Sequence, residues 1–421
     1  MPHTSAAKYT IVIPTRNRQT YCVAAVLSIL AAQRSDVRII ILDNSDDRAL
    51  LQNLLEQLDI LQHVQFVESA DRVLRMDENW ERAIPLLETE WVSFIGDDDG
   101  FKMDAFDILD FLTENIESDA FSWSTLNYKW PCFPGDEGGL LNLKYSELSL
   151  SRLPGDIVTQ AQQNWICDDK WPLIGPSVYH GVVRRRVIEN IKRDHGRYFL
   201  SHTVDYASGI TNARYVDHFV QYSGTVSIQG SSGKSGTADI AELERTRTVR
   251  DYLDELGTAD IVYDEFLDAG LHVPIVVSSF KAILEKLGLA FSVPPQRFLD
   301  SCVLELLRVR DPQCFETERV RLLAFAKKHA LDAARLEAAQ FTPSTRMVGP
   351  LGNAGLTSFD TTQFGWNGVF DVATKFHGLI LPFAADQLRH WRLLAGYAQR
   401  FDDAKAKRAV EKRSGQKQQA A

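Results

Sequence analysis

Short apolar runs alternate with amphipathic ones through the first 125 residues. Tyr9-Thr10-Ile11-Val12-Ile13 is a β-branched run closed by Pro14, which predicts a buried strand. Cys22 to Ala32 then sets Val23, Val26, Leu27 and Leu30 at helical spacing. Val37 to Leu42 predicts a second strand, Leu50 to Leu58 a second helix and Val64 to Val67 a third strand. Asp77 is a candidate cap for a helix over Glu78 to Leu87, with Pro85 awkward near its end. Trp91-Val92-Ser93-Phe94-Ile95 predicts a fourth strand, followed by a helix near Ala105 to Asn115 and a strand near Ala120 to Trp123. Such alternation predicts an α/β fold with a doubly wound, mostly parallel sheet.

The periodicity weakens over residues 125 to 175, where Trp, Pro, Gly and Asp suggest a partly ordered insertion. A strand is expected at Val178 to Val183, helices at Arg186 to Lys192 and Val204 to Ala213, and strands at Val216 to Tyr222 and Val226 to Ile228. From about residue 238 the texture turns helical, with Leu243 to Leu256, Ile275 to Leu287, Phe298 to Val309 and Val320 to His329. Residues 342 to 368 are rich in Gly, Thr and Asn and suggest an irregular segment. The expected organisation is an α/β domain over residues 1–237, a mainly helical C-terminal region over 238–400 and a polar, disordered tail over 401–421.

Composition narrows the function classes. A net charge of -10 argues against general nucleic-acid binding, which needs a basic surface. Five scattered cysteines without a C-x-x-C pair suit buried thiols in a reducing compartment. No signal peptide and no run of roughly 18 apolar residues is seen, so the expectation is a cytoplasmic protein.

The candidate chemistry lies at the ends of the predicted strands, where doubly wound sheets bind ligands. Gly96-Asp97-Asp98-Asp99-Gly100 follows a buried strand, and three adjacent carboxylates repel unless a cation joins them. Mg²⁺ typically takes one or two carboxylates plus substrate phosphates. The bland alternative is a solvated acidic turn. Thr15, Arg16 and Arg18 follow the first strand and suit a nucleotide or its phosphates. Asp43 closes the second strand, where it either contacts a base or ribose or caps a helix. Gly230 to Gly236 offers backbone donors with Ser232 and Lys234, either a nest over a diphosphate or a flexible linker. His180, His202 and His218 match no metal-ligand spacing, and Trp130, Trp165 and Trp171 serve packing or sugar stacking.

Together these pieces resemble the family-2 glycosyltransferases of the GT-A nucleotide-diphospho-sugar transferase fold. Ile-Val-Ile-Pro-Thr-Arg-Asn-Arg (11–18) resembles their opening strand and loop, and Ile-Leu-Asp-Asn-Ser-Asp-Asp (41–47) their second strand. Met76-Asp77-Glu78-Asn79-Trp80-Glu81 followed by Phe-Ile-Gly-Asp-Asp-Asp-Gly (94–100) resembles the helix and the "DXD" motif. The likeness spans roughly residues 9 to 236. Three consecutive aspartates depart from the family's spaced pair, so the register is open between Asp97 with Asp99 and Asp98 with Asp99.

The resemblance implies an inverting, metal-dependent transfer of sugar from a nucleoside-diphosphate donor to an acceptor hydroxyl. Donor-binding residues would be Thr15, Arg16, Arg18, Asp43, Asp97, Asp98, Ser232 and Lys234, with Asp99 holding Mn²⁺ or Mg²⁺. Asp205, opening a helix, is the expected general base, with Asp168 and Asp169 as alternatives. The acceptor would be a saccharide or a lipid-linked saccharide, without nucleic acid. An amphipathic run with Leu388, Trp391, Leu393 and Leu394 would either rest on the inner membrane face or pack on the protein, and a homo-oligomer is a further expectation. The rival readings are a nucleotidyltransferase, disfavoured because no glycine follows the first strand, and a non-catalytic sugar-binding scaffold.

Overall fold

The computed structural model describes residues 7–376 apart from 145–147, 168, 235–261, 264–265, 267–269, 310, 344–346 and 352–355. Its heart is the parallel set β1 (Tyr9–Thr15), β2 (Val37–Asp43), β3 (Val64–Val67) and β4 (Trp91–Phe94), ordered β3-β2-β1-β4. Helices α1 (Gln19–Leu30), α2 (Leu50–Gln57) and α3 (Met76–Glu81) lie between these strands in sequence. β1 and β2 are apolar at nearly every position because both faces are covered. Tyr9, Ile11 and Ile13 pack with α1 and, through Phe106 and Leu109, with α4 (Ala105–Asn115). Val12 faces the other way, toward Trp80, Phe94 and Phe199.

β1 runs through Pro14, where the sequence pattern puts its end. Val12 O accepts from Ile95 N–H at 3.1 Å on the β4 side. Two residues on, Pro14 faces the same side, beyond the end of β4, where its missing N–H removes no ladder bond. The helix expected over Glu78 to Leu87 is also corrected. It starts at Met76, with Glu78 accepting from Arg75 N–H at 3.0 Å, and Pro85 falls in a separate single turn. Asp77 is therefore inside the first turn and not at the cap.

Beyond β4 the sheet continues with β5 (Gly100–Phe101), β6 (Ala120–Lys129), β7 (Leu140–Lys144), β8 (Leu150–Pro154), β9 (Gly181–Arg184) and the long β10 (His218–Ser231). β9 joins β4 to β6 in antiparallel fashion, and β10 runs parallel to β6 while pairing antiparallel with β5 and β8. The expected insertion over 125 to 175 is thus largely regular, including α5 (Gly155–Gln163). The two strands expected over 216 to 228 are one strand with shifts in register between Tyr222 and Ser227. Helices α6 (Arg185–His195) and α7 (Val204–Tyr215) cover the second face.

α8 (Val273–Lys286), α9 (Pro295–Leu306), α10 (Pro312–Lys328) and α11 (Ala334–Glu337) share a core with Trp165, Ala207 and Ile210. The chain then returns to the sheet, where the pattern suggested an irregular segment. β11 (Gly349–Leu351) and β12 (Leu356–Asp360) extend the edge beside β7, and Trp366, Val369 and Phe376 pack against Trp130 and Ile228. The expected helix at Leu243 to Leu256, the amphipathic run at Leu388 to Leu394 and the tail lie outside the described residues. Among the described residues no helix is long and apolar enough to cross a membrane.

Trp165 links the sheet domain to the helices: it is fully buried, and its Nε1–H donates to Ser301 Oγ at 3.0 Å. It therefore belongs to packing and not to sugar stacking. Trp165→Ala should cost about 3–5 kcal/mol in a urea titration, as other buried aromatic truncations do. A loss below about 1 kcal/mol would mean the helices dock without it.

Candidate active site

The strand order makes the site. β1 leads outward to β2 and β3, and the chain then crosses back to β4 on the other side of β1. The carboxyl ends of β1 and β4 bound this switch point, where open α/β sheets bind their ligands. Thr15 to Arg18 leave one strand and Gly96 to Asp99 the other, while Asp43 pairs in register with Thr15.

Asp97 meets the β1 loop directly. Its Oδ2 accepts from Thr15 Oγ1 at 2.7 Å and its Oδ1 from Arg18 Nη1 at 3.0 Å. Asp98 turns toward the end of β10, its Oδ2 accepting from Ser232 N–H at 3.1 Å and Ser232 Oγ at 2.8 Å. Its other oxygen is 3.6 Å from Arg18 Nη1. Trp130 Nε1–H donates to the Asp98 carbonyl at 2.9 Å, so this tryptophan holds the loop. Gly230 fits only without a side chain: a Cβ there would stand 1.8 Å from the Asp98 carbonyl oxygen.

Asp99, the expected metal ligand, is turned into the protein. Its Oδ1 accepts from Gly230 N–H at 2.8 Å, and its Oδ2 from Gly96 N–H at 2.7 Å and Tyr179 Oη at 2.8 Å. His180 Nε2 stands 3.2 Å from the same Oδ2. Behind it Trp123 Nε1–H donates to Ser227 Oγ, itself 2.8 Å from His180 Nδ1, an arrangement that suits a proton on Nε2. With its oxygens engaged and no exposed surface, Asp99 is an anchor of the loop. Tyr179 was not anticipated, and His180, weighed as a metal ligand, serves Asp99. His180 holds φ 50°, a conformation uncommon outside glycine and often found at functional sites.

Charge balance follows this geometry. Burial pushes the Asp97 carboxyl up despite Arg18, and burial with the Asp97 and Asp99 charges pushes Asp98 up to about 7. Burial alone would raise Asp99 too, but His180, Tyr179 and the Gly230 N–H outweigh it and hold it low. Burial disfavours the Arg18 guanidinium, yet Asp97 and Asp98 more than offset that and stabilise its charge.

Lys234 lies across the opening, its Nζ donating to Asn17 O at 3.1 Å while its carbonyl accepts from Arg18 Nη2. Asn17, at φ 56°, is pinned to the β2 loop through Asp46 and Ser45. Asp43 is fully buried. One of its oxygens accepts from Ser45 N–H at 3.0 Å, and among the described residues the other has no partner. A cavity of about 220 Å³ opens at the residues that follow Asp43, lined by Asn44, Ser45, Ser69 and Arg72 among others. A larger depression at Glu56, Asp59, Leu61 and Gln62 lies at the opposite end of β3, away from the aspartates. Arg16 is exposed, with no bond among the described residues.

Asp205 is half-buried in the first turn of α7, and burial raises its carboxyl above the ordinary range. It lies close enough to Tyr179 to act on that hydroxyl, after burial, Asp99 and Asp98 in order of effect. The other candidates fall elsewhere. Asp169 pairs with Arg308 at 2.8 Å, Asp168 is outside the described residues, and His218 bridges Arg152 and the Glu117 carbonyl. His202 is buried, which lowers it to about 4, and Trp171 packs edge-on to Tyr206.

Asp97 and Asp98 do fit a cation. An oxygen of each faces one point, where the guanidinium nitrogen of Arg18 stands as a positive charge. Among the described residues no group of three His, Cys, Asp or Glu converges as a metal cage. Two carboxylates completed by substrate oxygens suit Mg²⁺ or Mn²⁺ better than a protein cage.

This edge of the sheet, with its acidic loop, is that of a nucleotide-binding α/β enzyme. Residues 10–116 match the family model for glycosyl transferase family 2. The segment carrying Thr15, Arg18, Asp43 and the three aspartates is thus a glycosyl transferase family 2 domain, and the protein is a glycosyltransferase. No curated protein matches the chain. Among solved structures it is similar to S. aureus TarS 1-349 in complex with UDP-GlcNAc, at 15% identity over 78% of this chain and 89% of that one, with a TM-score of 0.42. It is also similar to a longer S. aureus TarS structure, at 14% identity over 81% of this chain and 57% of that one, with a TM-score of 0.40.

Asp98 yields a pH prediction. Its folded carboxyl stands at about 7 against an ordinary 3.8, so the folded state holds the proton more tightly than the unfolded chain. The resulting stability is present below about pH 4 and lost as pH rises through about 7. Asp98→Asn stays neutral throughout. It should exceed the unaltered protein by about 1–4 kcal/mol at about pH 8 in urea titrations, and by little at about pH 4. An equal difference at both pH values would show that the buried charge is not what Asp98 contributes.

Proposed function

We propose that the protein transfers a sugar, with inversion, from a nucleoside-diphosphate donor to an acceptor hydroxyl. The observation that carries this is the meeting of Thr15, Arg18, Asp97, Asp98, Ser232 and Lys234 at the switch point, where Asp43 keeps a buried oxygen without a partner among the described residues. Asp43 and the adjoining cavity suit the base and ribose, since a buried acceptor without a partner favours a ligand N–H or O–H. Lys234 and Arg18 suit the diphosphate. Asp97 and Asp98 would hold Mg²⁺ or Mn²⁺, which when bound stabilises charge on the departing diphosphate.

Asp205 is the proposed base. Its carboxylate takes the acceptor proton as the hydroxyl attacks opposite the leaving group. The acceptor in this reading is a saccharide or a lipid-linked saccharide. The latter would bring a cytoplasmic enzyme to the inner membrane face.

The test begins with thermal shift of UDP, GDP, dTDP and CMP, each with Mn²⁺, because a ligand of the folded state raises its apparent stability. At least one diphosphate should stabilise the protein and its sugar conjugates should be turned over. No shift with any nucleotide would leave a scaffold in place of an enzyme. Asp205→Asn should then lower kcat by about a hundredfold with donor affinity nearly unchanged. A parallel fall in donor affinity would make Asp205 structural.

A further inference from the structure

Arg18 occupies the place a divalent cation would take. Its Nη1 lies 3.0 Å from Asp97 Oδ1 and 3.6 Å from Asp98 Oδ1, so one positive charge already bridges the two carboxylates. Nη2 donates to the Lys234 carbonyl, and Lys234 Nζ donates back to Asn17 O. The same guanidinium thus ties the end of β10 to the loop after β1. Arg18 stands at the N-cap position of α1 with its side chain about a quarter exposed, 24%. It can leave the carboxylates by rotating its own side chain, without unwinding a helix or strand. Asp99 cannot do so, because two of its partners are backbone N–H groups and its own side chain is fully buried.

The geometry points to Arg18 as a resident counter-ion that competes with the metal for Asp97 and Asp98 and makes metal binding depend on the nucleotide. This rests on the metal-dependent reading above. A guanidinium and a divalent ion on the same oxygens repel strongly at a partly buried site. A diphosphate relieves the conflict from both sides. It offers Arg18 another anionic partner, which guanidinium groups grip with two parallel hydrogen bonds. It also supplies the oxygens that complete the shell of an ion held by only two carboxylates. Without nucleotide, Arg18 keeps the buried aspartates neutralised and excludes free metal.

The experiment is a Mn²⁺ titration followed by electron paramagnetic resonance on the full chain, without nucleotide and then with UDP, GDP or dTDP. Without nucleotide, Arg18→Gln should bind Mn²⁺ at least about tenfold more tightly than the unaltered protein, since the competing charge is gone. Arg18→Lys keeps the charge and should stay within about threefold of the unaltered protein. Nucleotide should tighten Mn²⁺ binding more in the unaltered protein than in Arg18→Gln. If the unaltered protein takes Mn²⁺ with a nucleotide but Arg18→Gln gains nothing without one, the competition is overturned and the metal reading stands. A tenfold gain in Arg18→Lys overturns it equally. If no form takes Mn²⁺ under any condition, the metal reading falls and the inference with it. Should circular dichroism find Arg18→Gln unfolded, Arg18→Met, of similar length and uncharged, takes its place.

Discussion

Three carboxylates buried side by side at the carboxyl end of β4 are the constraint to which the rest of the site answers. Desolvated and adjacent, they cannot all be charged without partners, and each obtains them from a different direction. Asp97 draws on the β1 loop, Asp98 on the end of β10, and Asp99 on Gly96, Gly230, Tyr179 and His180. The acidic loop thereby fixes the relative positions of segments 79 to 134 residues away in sequence. Breaking a buried charge from its partner is costly, so these segments are held in place as firmly as the loop itself.

Support for that loop extends well beyond the family segment. Trp130 holds the Asp98 carbonyl, and behind Trp130 stand Trp366, Val369 and Phe376 from the returning C-terminal segment. Gly368 passes so close that a Cβ would stand 2.6 Å from the Trp130 ring. On the other side α3 steadies Asp43: Asn79 donates to the Leu42 carbonyl at 3.3 Å and Arg82 to the Asp43 carbonyl at 2.9 Å. Residues 356–376 therefore bear on the site through packing, although they lie far from residues 10–116.

The sequence pattern was most legible where one physical rule acts alone. The apolar runs of β1 to β4 and the polar residues at their ends follow from burial on both faces, and most of the named site residues do meet there. Thr15, Arg18, Asp97, Asp98, Ser232 and Lys234 share one hydrogen-bonded network, while Arg16 stays outside it. What was not legible depends on distant pairing. Residues 125–175 show weak periodicity because β6, β7 and β8 are stabilised by β10, β9 and β12, and no local pattern announces such partners. Tyr179 gave no signal, and His180 stood out only as a histidine without metal-ligand spacing, since their role is set by a turn at φ 50° that points them at Asp99. The register of the three aspartates could not be read from spacing, because adjacent residues leave a turn in different directions and only the turn fixes which.

That last point bears on how a run of acidic residues divides its labour. Asp99 is the aspartate common to both candidate registers, and it is the one spent on holding the loop. Its low carboxyl follows from donors that any cation would have to displace, two of them backbone N–H groups that cannot move away. Asp97 is balanced instead by the side chains of Thr15 and Arg18, and the Oδ1 of Asp98 by Arg18, whose rotation costs far less than rebuilding a turn. Exchangeable partners, and not simply the number of carboxylates, therefore mark where a ligand's charges can enter. By that criterion the face of the motif open to exchange is that of Asp97 and Asp98.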